Sequence, residues 1–144
     1  MAKHIFNSEI DWAGGRNAVG HLQTGVLKEK ISVPSLMEGP GEGTNPDEML
    51  LGAASTCYTI TLAAMLERNE IGLINLKVDS TGVVDVTNGV FTYEKIIHHV
   101  FLKLTSEADE TKARKLAERA ETSCMISRAI RGNVQLETVI TFES

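Results

Sequence analysis

The stretch from Met49 to Met65 limits the fold more than any other part of this chain. It is almost wholly apolar or small, and strong helix-starting signals lead into it. Asn45 is a good N-cap, and Pro46 suits the first helical position. Glu48, three residues after Asn45, has the spacing of a capping box. Arg68-Asn69-Glu70 and Gly72 mark the exit. A helix apolar on all sides is a buried central helix. Its uncharged run falls short of the roughly 20 apolar residues of a membrane span, and it is rich in Ser and Thr.

The flanks read as strands. Residues 4–12 and 18–33 predict short strands separated by glycine turns at Gly14-Gly15, Gly20 and Gly25. The loop Glu38-Gly39-Pro40-Gly41-Glu42-Gly43 holds residues unsuited to a helix or a central strand. Residues 73–87 and 90–105 predict two long strands joined at Asn88-Gly89, the strongest short hairpin signal. Asp109 to Glu121 is amphipathic and charged, a surface helix. Ser123 is a candidate N-cap for a short helix from Cys124 to Arg131, ended by Gly132. Val134 to Phe142 alternates and closes the chain as a strand.

The order β-β-β-α-β-β-α-α-β, with strands in antiparallel runs, predicts an α+β fold: antiparallel sheets packed around a long buried helix. No linker or repeat interrupts residues 1–144, so one domain is expected. One small sheet covers only one side of an apolar helix. A second copy of the chain is therefore expected on the other side.

The formal net charge of −5 argues against a nucleic-acid or anionic-membrane partner. The N-terminus lacks the apolar core and small-residue cleavage site of a signal peptide. A cytoplasmic location is expected, where a permanent structural disulfide is disfavoured. His98 and His99, adjacent in a predicted strand, point to opposite faces. No spacing resembles a zinc motif.

That leaves the chain's two cysteines, Cys57 and Cys124. At helical spacing, Cys57 shares its face with Leu50, Ala53, Ala54, Ile60 and Thr61. One reading is a small buried hydrophobe. If Ser123 is the cap, Cys124 stands at a helix N-terminus, which favours a thiolate. The other reading is a half-buried surface cysteine. Arg16 sits in a glycine turn as a surface cation. Asp47 opens the central helix, where it complements the helix dipole.

The run Gly43-Thr44-Asn45-Pro46-Asp47-Glu48, followed by a small-residue helix reaching Cys57, resembles the OsmC/Ohr family of thiol peroxidases. Ser123-Cys124-Met125-Ile126-Ser127-Arg128-Ala129 resembles the family's second cysteine and its short helix. Gly14-Gly15-Arg16 matches the organic-hydroperoxide branch. The resemblance implies an intertwined homodimer with active sites at the subunit interface. It implies Cys57 as peroxidatic cysteine, Cys124 as resolving cysteine and Arg16 as activator of the thiolate. Asp47 takes the place of the family's glutamate, one methylene shorter, with Glu48 as a substitute. Met125 stands where a proline is common. The implied substrates are organic hydroperoxides and, more weakly, hydrogen peroxide. The implied reductant is a dithiol, usually a lipoyl group on a protein. No metal, haem or flavin is implied.

Physics sets the requirement. An unperturbed cysteine, with pKa about 8.5, is only a few per cent thiolate at pH 7. Burial lowers that fraction, and the dipole of a helix does little at its middle. A cation about 4 Å away at an effective dielectric near 20 contributes about 4 kcal/mol, roughly a thousandfold in the thiolate equilibrium. Asp47 and Cys57 are about 15 Å apart along a straight helix. Arg16 would have to bridge them, the first turn would have to bend, or Asp47 would serve the partner's cysteine. Two other functions remain open on the sequence: an OsmC-like dimer binding a small hydrophobic ligand, and a thiol redox sensor. Peroxide-dependent disulfide formation and turnover with a dithiol separate the three.

Overall fold

A computed structural model describes residues 2–144. The chain divides into two compact units, one ending at Met49 and one running from Leu50 to Ser144.

In the first unit, β1 (Glu9–Asp11), β2 (Gly20–Thr24) and β3 (Leu27–Ile31) form an antiparallel sheet in that order. Gly25, at φ 58°, makes the β2–β3 turn. Leu22 and Ile31 are its buried apolar residues. Thr44 returns to this sheet, its N–H donating to the Lys30 carbonyl at 2.8 Å while Ser32 N–H donates to the Thr44 carbonyl at 3.1 Å. Gly43 makes that return possible. Its φ is +68°, and a Cβ there would collide with the Lys30 backbone.

The helix signal at Asn45 holds. Asn45 Oδ1 accepts the Glu48 N–H at 2.9 Å, and α1 runs unbroken over Pro46–Arg68. The reciprocal half of the capping box differs from expectation, because the Glu48 carboxylate accepts from the Thr44 hydroxyl at 3.1 Å.

In the second unit, β4 (Leu73–Thr87) and β5 (Val90–Leu104) form the long hairpin. Asn88 (φ 52°) and Gly89 (φ 74°) supply the paired positive φ values of a type I′ turn. α2 (Glu110–Ser123) and α3 (Met125–Ile130) follow, and β6 (Gln135–Phe142) completes the sheet in the order β4-β5-β6. β6 pairs with β5 in parallel, from Lys95↔Gln135 to Leu102↔Phe142. This corrects the wholly antiparallel expectation. The two helices return the chain to the starting end of β5, and such a crossover is what parallel pairing needs.

Strand alternation on β5 places Ile96, His98, Val100 and Leu102 on one fully buried face. His99 lies on the opposite face and is only partly buried. α1 lays Tyr58, Leu62, Met65 and Leu66 against Val100 and Leu102, together with Ala113, Leu116, Ala117 and Ala120 of α2. The Tyr58 hydroxyl reaches from α1 to α2 and donates to the Ala117 carbonyl at 2.7 Å. Each large apolar side chain so buried contributes about 1.5–3 kcal/mol.

Within the single chain α1 is covered on one side only, as expected where one small sheet packs against it. Gly52, Ala53, Thr56 and Ile60 of α1 are exposed, Ile60 by 64%. By length and composition α1 is also sufficient to cross a membrane. Its buried face nonetheless forms part of the core of a mixed α/β unit.

Candidate active site

Two elements of the second unit build the site. α1 presents Cys57 at the middle of its length, and the α2–α3 junction brings Cys124 to meet it. Both are free thiols; Cys57 is half-buried and Cys124 fully buried. The two thiols lie close enough to shift each other's ionisation.

The junction differs by one residue from the sequence expectation. α2 continues through Ser123, and Cys124 itself is the N-cap of α3, in an extended conformation (φ −62°, ψ 126°). Its Sγ accepts the Ser127 N–H at 3.5 Å. Serine is normally the better cap, but here the sulfur takes that position. The end of α3 is tied back to α2, because the Arg131 guanidinium lies 3.1 Å from the Glu121 carboxylate and donates to the Glu121 carbonyl at 3.1 Å. Ile126 and Ile130 pack on the small core of Ala54, Ile96 and Val134.

Burial works against a thiolate at both sulfurs, and the outcome is opposite. At Cys57 burial pushes the thiol up. Hydrogen bonds from the Cys124 thiol, the Ile126 N–H, the Thr61 hydroxyl and the Met125 N–H outweigh it, and the net shift is downward. Thr61 Oγ1 lies 4.0 Å from Cys57 Sγ, one helical turn on. At Cys124 burial also pushes the thiol up, and the hydrogen bond it gives to Cys57 adds to that. The nearby Ser127 hydroxyl and the bond from the Ser127 N–H offset only part, so the net shift is upward. The arrangement has one sulfur suited to carry charge and one held as the protonated donor beside it. Of the free N–H groups of α3, those of Met125 and Ile126 thus serve Cys57 and that of Ser127 serves Cys124.

Among the expected site residues, the structure brings Cys57 and Cys124 together. Arg16 and Asp47 belong to the unit that ends at Met49. There the exposed Arg16 guanidinium donates to the Met37 carbonyl at 2.6 Å, the Glu38 carbonyl at 3.4 Å and Asn17 Oδ1 at 2.9 Å. Asp47 lies in the first turn of α1. Four residues went unrecognised as donors in the sequence: Thr61, Ser127, and Met125 and Ile126 through their N–H groups. The spacing Cys57–Thr61 (i, i+4) and Cys124–Ser127 (i, i+3) carried a signal for the side chains. The N–H groups carry none. Two hollows, of about 360 and 440 Å³, are lined respectively by residues of β1–β3 and by residues around Arg131–Leu136, and neither includes a cysteine.

The model of the OsmC-like protein family matches residues 39–139. This chain belongs to that family. It is 56% identical to the uncharacterized protein YmaD of Bacillus subtilis (strain 168) over 140 residues, 95% of this chain and 93% of the relative. It is 28% identical to an organic hydroperoxide resistance protein-like 2 of Staphylococcus epidermidis, over 98% of this chain and 99% of the relative. Its fold matches the crystal structure of an organic hydroperoxide resistance protein OsmC from Legionella pneumophila. The TM-score is 0.74 at 25% identity, covering 96% of this chain and 99% of that one. The Staphylococcus epidermidis and Legionella pneumophila proteins are both named for organic hydroperoxide resistance.

Proposed function

We propose that this protein is a cysteine-based peroxidase that reduces organic hydroperoxides to alcohols. The observation that carries the reading is the pair of neighbouring free thiols, Cys57 shifted toward thiolate and Cys124 toward thiol. The Cys57 thiolate attacks the distal peroxide oxygen. The O–O bond breaks, its electron pair leaves with the alkoxide, which takes up a proton, and Cys57 becomes a sulfenic acid. Cys124 then attacks that sulfur, water leaves and a disulfide forms, which protects Cys57 from further oxidation. A dithiol returns both cysteines to thiols by exchange.

Arg16 adds a cation beside the Cys57 sulfur and Asp47 orients the guanidinium, within a cytoplasmic homodimer of single-domain subunits. An arginine suits this because it stays charged when desolvated and its fork can hold a carboxylate. The exposed apolar stripe of α1, including Ile60, supports the dimer.

One equivalent of cumene hydroperoxide should remove two hydrogens from the mass of one chain, and Cys57→Ser should abolish peroxide consumption. Full turnover by Cys57→Ser would reject Cys57 as the nucleophile. Arg16→Ala should move the pH profile of Cys57 alkylation upward; an unchanged profile would remove Arg16 from the mechanism.

A further inference from the structure

Resting on the peroxidase reading, we propose that the reductant attacks the Cys57 sulfur of the Cys57–Cys124 disulfide and that Cys124 departs as a thiolate received by Ser127. Two observations point this way. Access differs: Cys124 is 0% exposed, whereas Cys57 is half-buried. Thiol–disulfide exchange needs an incoming thiolate to reach the attacked sulfur, and only Cys57 offers a way in.

The second observation is Ser127. It is completely buried, and among the described residues its hydroxyl has no hydrogen-bond partner of normal geometry. Its own N–H already points at Cys124 Sγ at 3.5 Å. The hydroxyl is also near enough to that sulfur to favour its thiolate over its thiol. A buried hydroxyl without a partner is costly in the resting protein. That cost is recovered when negative charge appears on Cys124. A group bound more tightly at the transition state than at rest accelerates the step.

The electrons balance as follows. One thiolate of the dithiol bonds to Cys57 Sγ, the S–S bond breaks, and its electron pair goes to Cys124 Sγ. The reductant's second thiol loses its proton, which ends on Cys124. The resulting thiolate attacks the reductant's own sulfur in the mixed disulfide. Cys57 leaves as a thiolate, and the reductant closes to a cyclic disulfide. The protein gains two electrons and the dithiol loses two.

The test begins with diamide, so that it stands apart from peroxide chemistry. The diamide-oxidised protein is exposed briefly to 2-mercaptoethanol, quenched in acid, alkylated unfolded and mapped by peptide mass. The adduct should sit on Cys57 in about tenfold or greater excess over Cys124, the discrimination expected from access to one sulfur alone. An adduct on Cys124, an even split, or failure of diamide to couple the two cysteines overturns the proposal. A protein that maps to Cys57 but consumes no peroxide would overturn the peroxidase reading and leave this one standing. For Ser127, the rate of disulfide reduction by dihydrolipoamide is read as a function of pH. Ser127→Ala should slow it about tenfold, as for loss of one hydrogen bond to a charged group. Ser127→Thr, which keeps the hydroxyl, should restore the rate. Equal rates for alanine and serine, or no rescue by threonine, overturn the role of Ser127.

Discussion

Cys57 and Tyr58 are neighbours on α1, and each faces a buried polar pair. Cys57 meets Cys124. Tyr58 stacks on His98 with ring centroids 4.9 Å apart and planes inclined by 25°. His98 Nδ1 in turn lies 2.6 Å from Ser80 Oγ. Both pairs lose water. Around Cys57, four donors converge and overcome the loss, so charge is favoured. Around His98 nothing overcomes it. Its Nε2 has no hydrogen-bond partner among the described residues, and burial lowers its basicity so that it stays neutral. The difference shows that burial alone decides neither pair. What separates them is the number of donors aimed at the group that would be charged.

The largest effect should come from breaking the sulfur pair itself. Cys124→Ala removes both the resolving thiol and a donor to Cys57. Peroxide should then form no disulfide, and Cys57 should proceed to sulfinic acid, read as a gain of two oxygens by mass. The Cys57 thiolate population near neutral pH should fall about tenfold or more, from loss of a hydrogen bond to a charged group. Cys124→Ser sharpens the comparison. It also fails to form the disulfide, but its hydroxyl can still donate, so the alkylation profile of Cys57 should stay near that of the parent. Equal profiles for the alanine and serine variants would show that Cys124 does not serve as a donor.

How far the sequence carries depends on which kind of signal each feature leaves. The start of α1 at Asn45-Pro46, the hairpin at Asn88-Gly89 and the alternation that buries His98 are local, and local chemistry is written in residue type. The parallel pairing of β6 with β5 is not local. It follows from where α2 and α3 deliver the chain, and β6 alternates in the same way for either direction of pairing. The choice of Cys124 over Ser123 as cap turns on whether α2 stops one residue earlier, which cap preference alone cannot decide. In the site, the two cysteines were legible as a pair of chemical interest. The means of lowering Cys57 were not. The sequence argument looked to a cation, whereas the offset comes from Cys124 first and includes the backbone N–H groups of Ile126 and Met125. Every residue but proline carries such a group.

That exception gives the second prediction. Met125 is the first residue of α3, where proline is well tolerated in a helix. Met125→Pro removes one N–H from the Cys57 environment while leaving the Ile126 N–H, Thr61 and Cys124 in place. The fold should persist by circular dichroism. The rate of Cys57 alkylation near neutral pH should fall several-fold, less than in Cys124→Ala, because one of four donors is lost and the main-chain path is kept. An unchanged alkylation profile would mean that the Met125 N–H adds nothing to the thiolate, and the contrast with His98 would then rest on fewer donors.

The smallest effect tests the other side of the comparison. His98 is neutral in the folded chain, its pKa lowered from 6.5 by burial. The unfolded chain takes up a proton on this histidine near pH 6.5, and the folded chain does so only at lower pH. Between those two values the unfolded state binds more protons, so stability falls as pH falls through that window and is fully present above it. The limiting slope for one such proton is about 1.4 kcal/mol per pH unit. His98→Gln keeps a polar partner for Ser80 but does not titrate. It also loses the stack on Tyr58, so its stability at pH 7.5 should be lower than the parent's. Its loss of stability between pH 7 and pH 5, by urea unfolding, should nevertheless be smaller. Carboxylates contribute to acid destabilisation in both proteins, and the difference between the two slopes isolates His98. Parallel slopes would mean that His98 is protonated as readily in the folded chain as in the unfolded one. Burial beneath Tyr58 would then carry no electrostatic cost, and the opposition between the two polar pairs would fail.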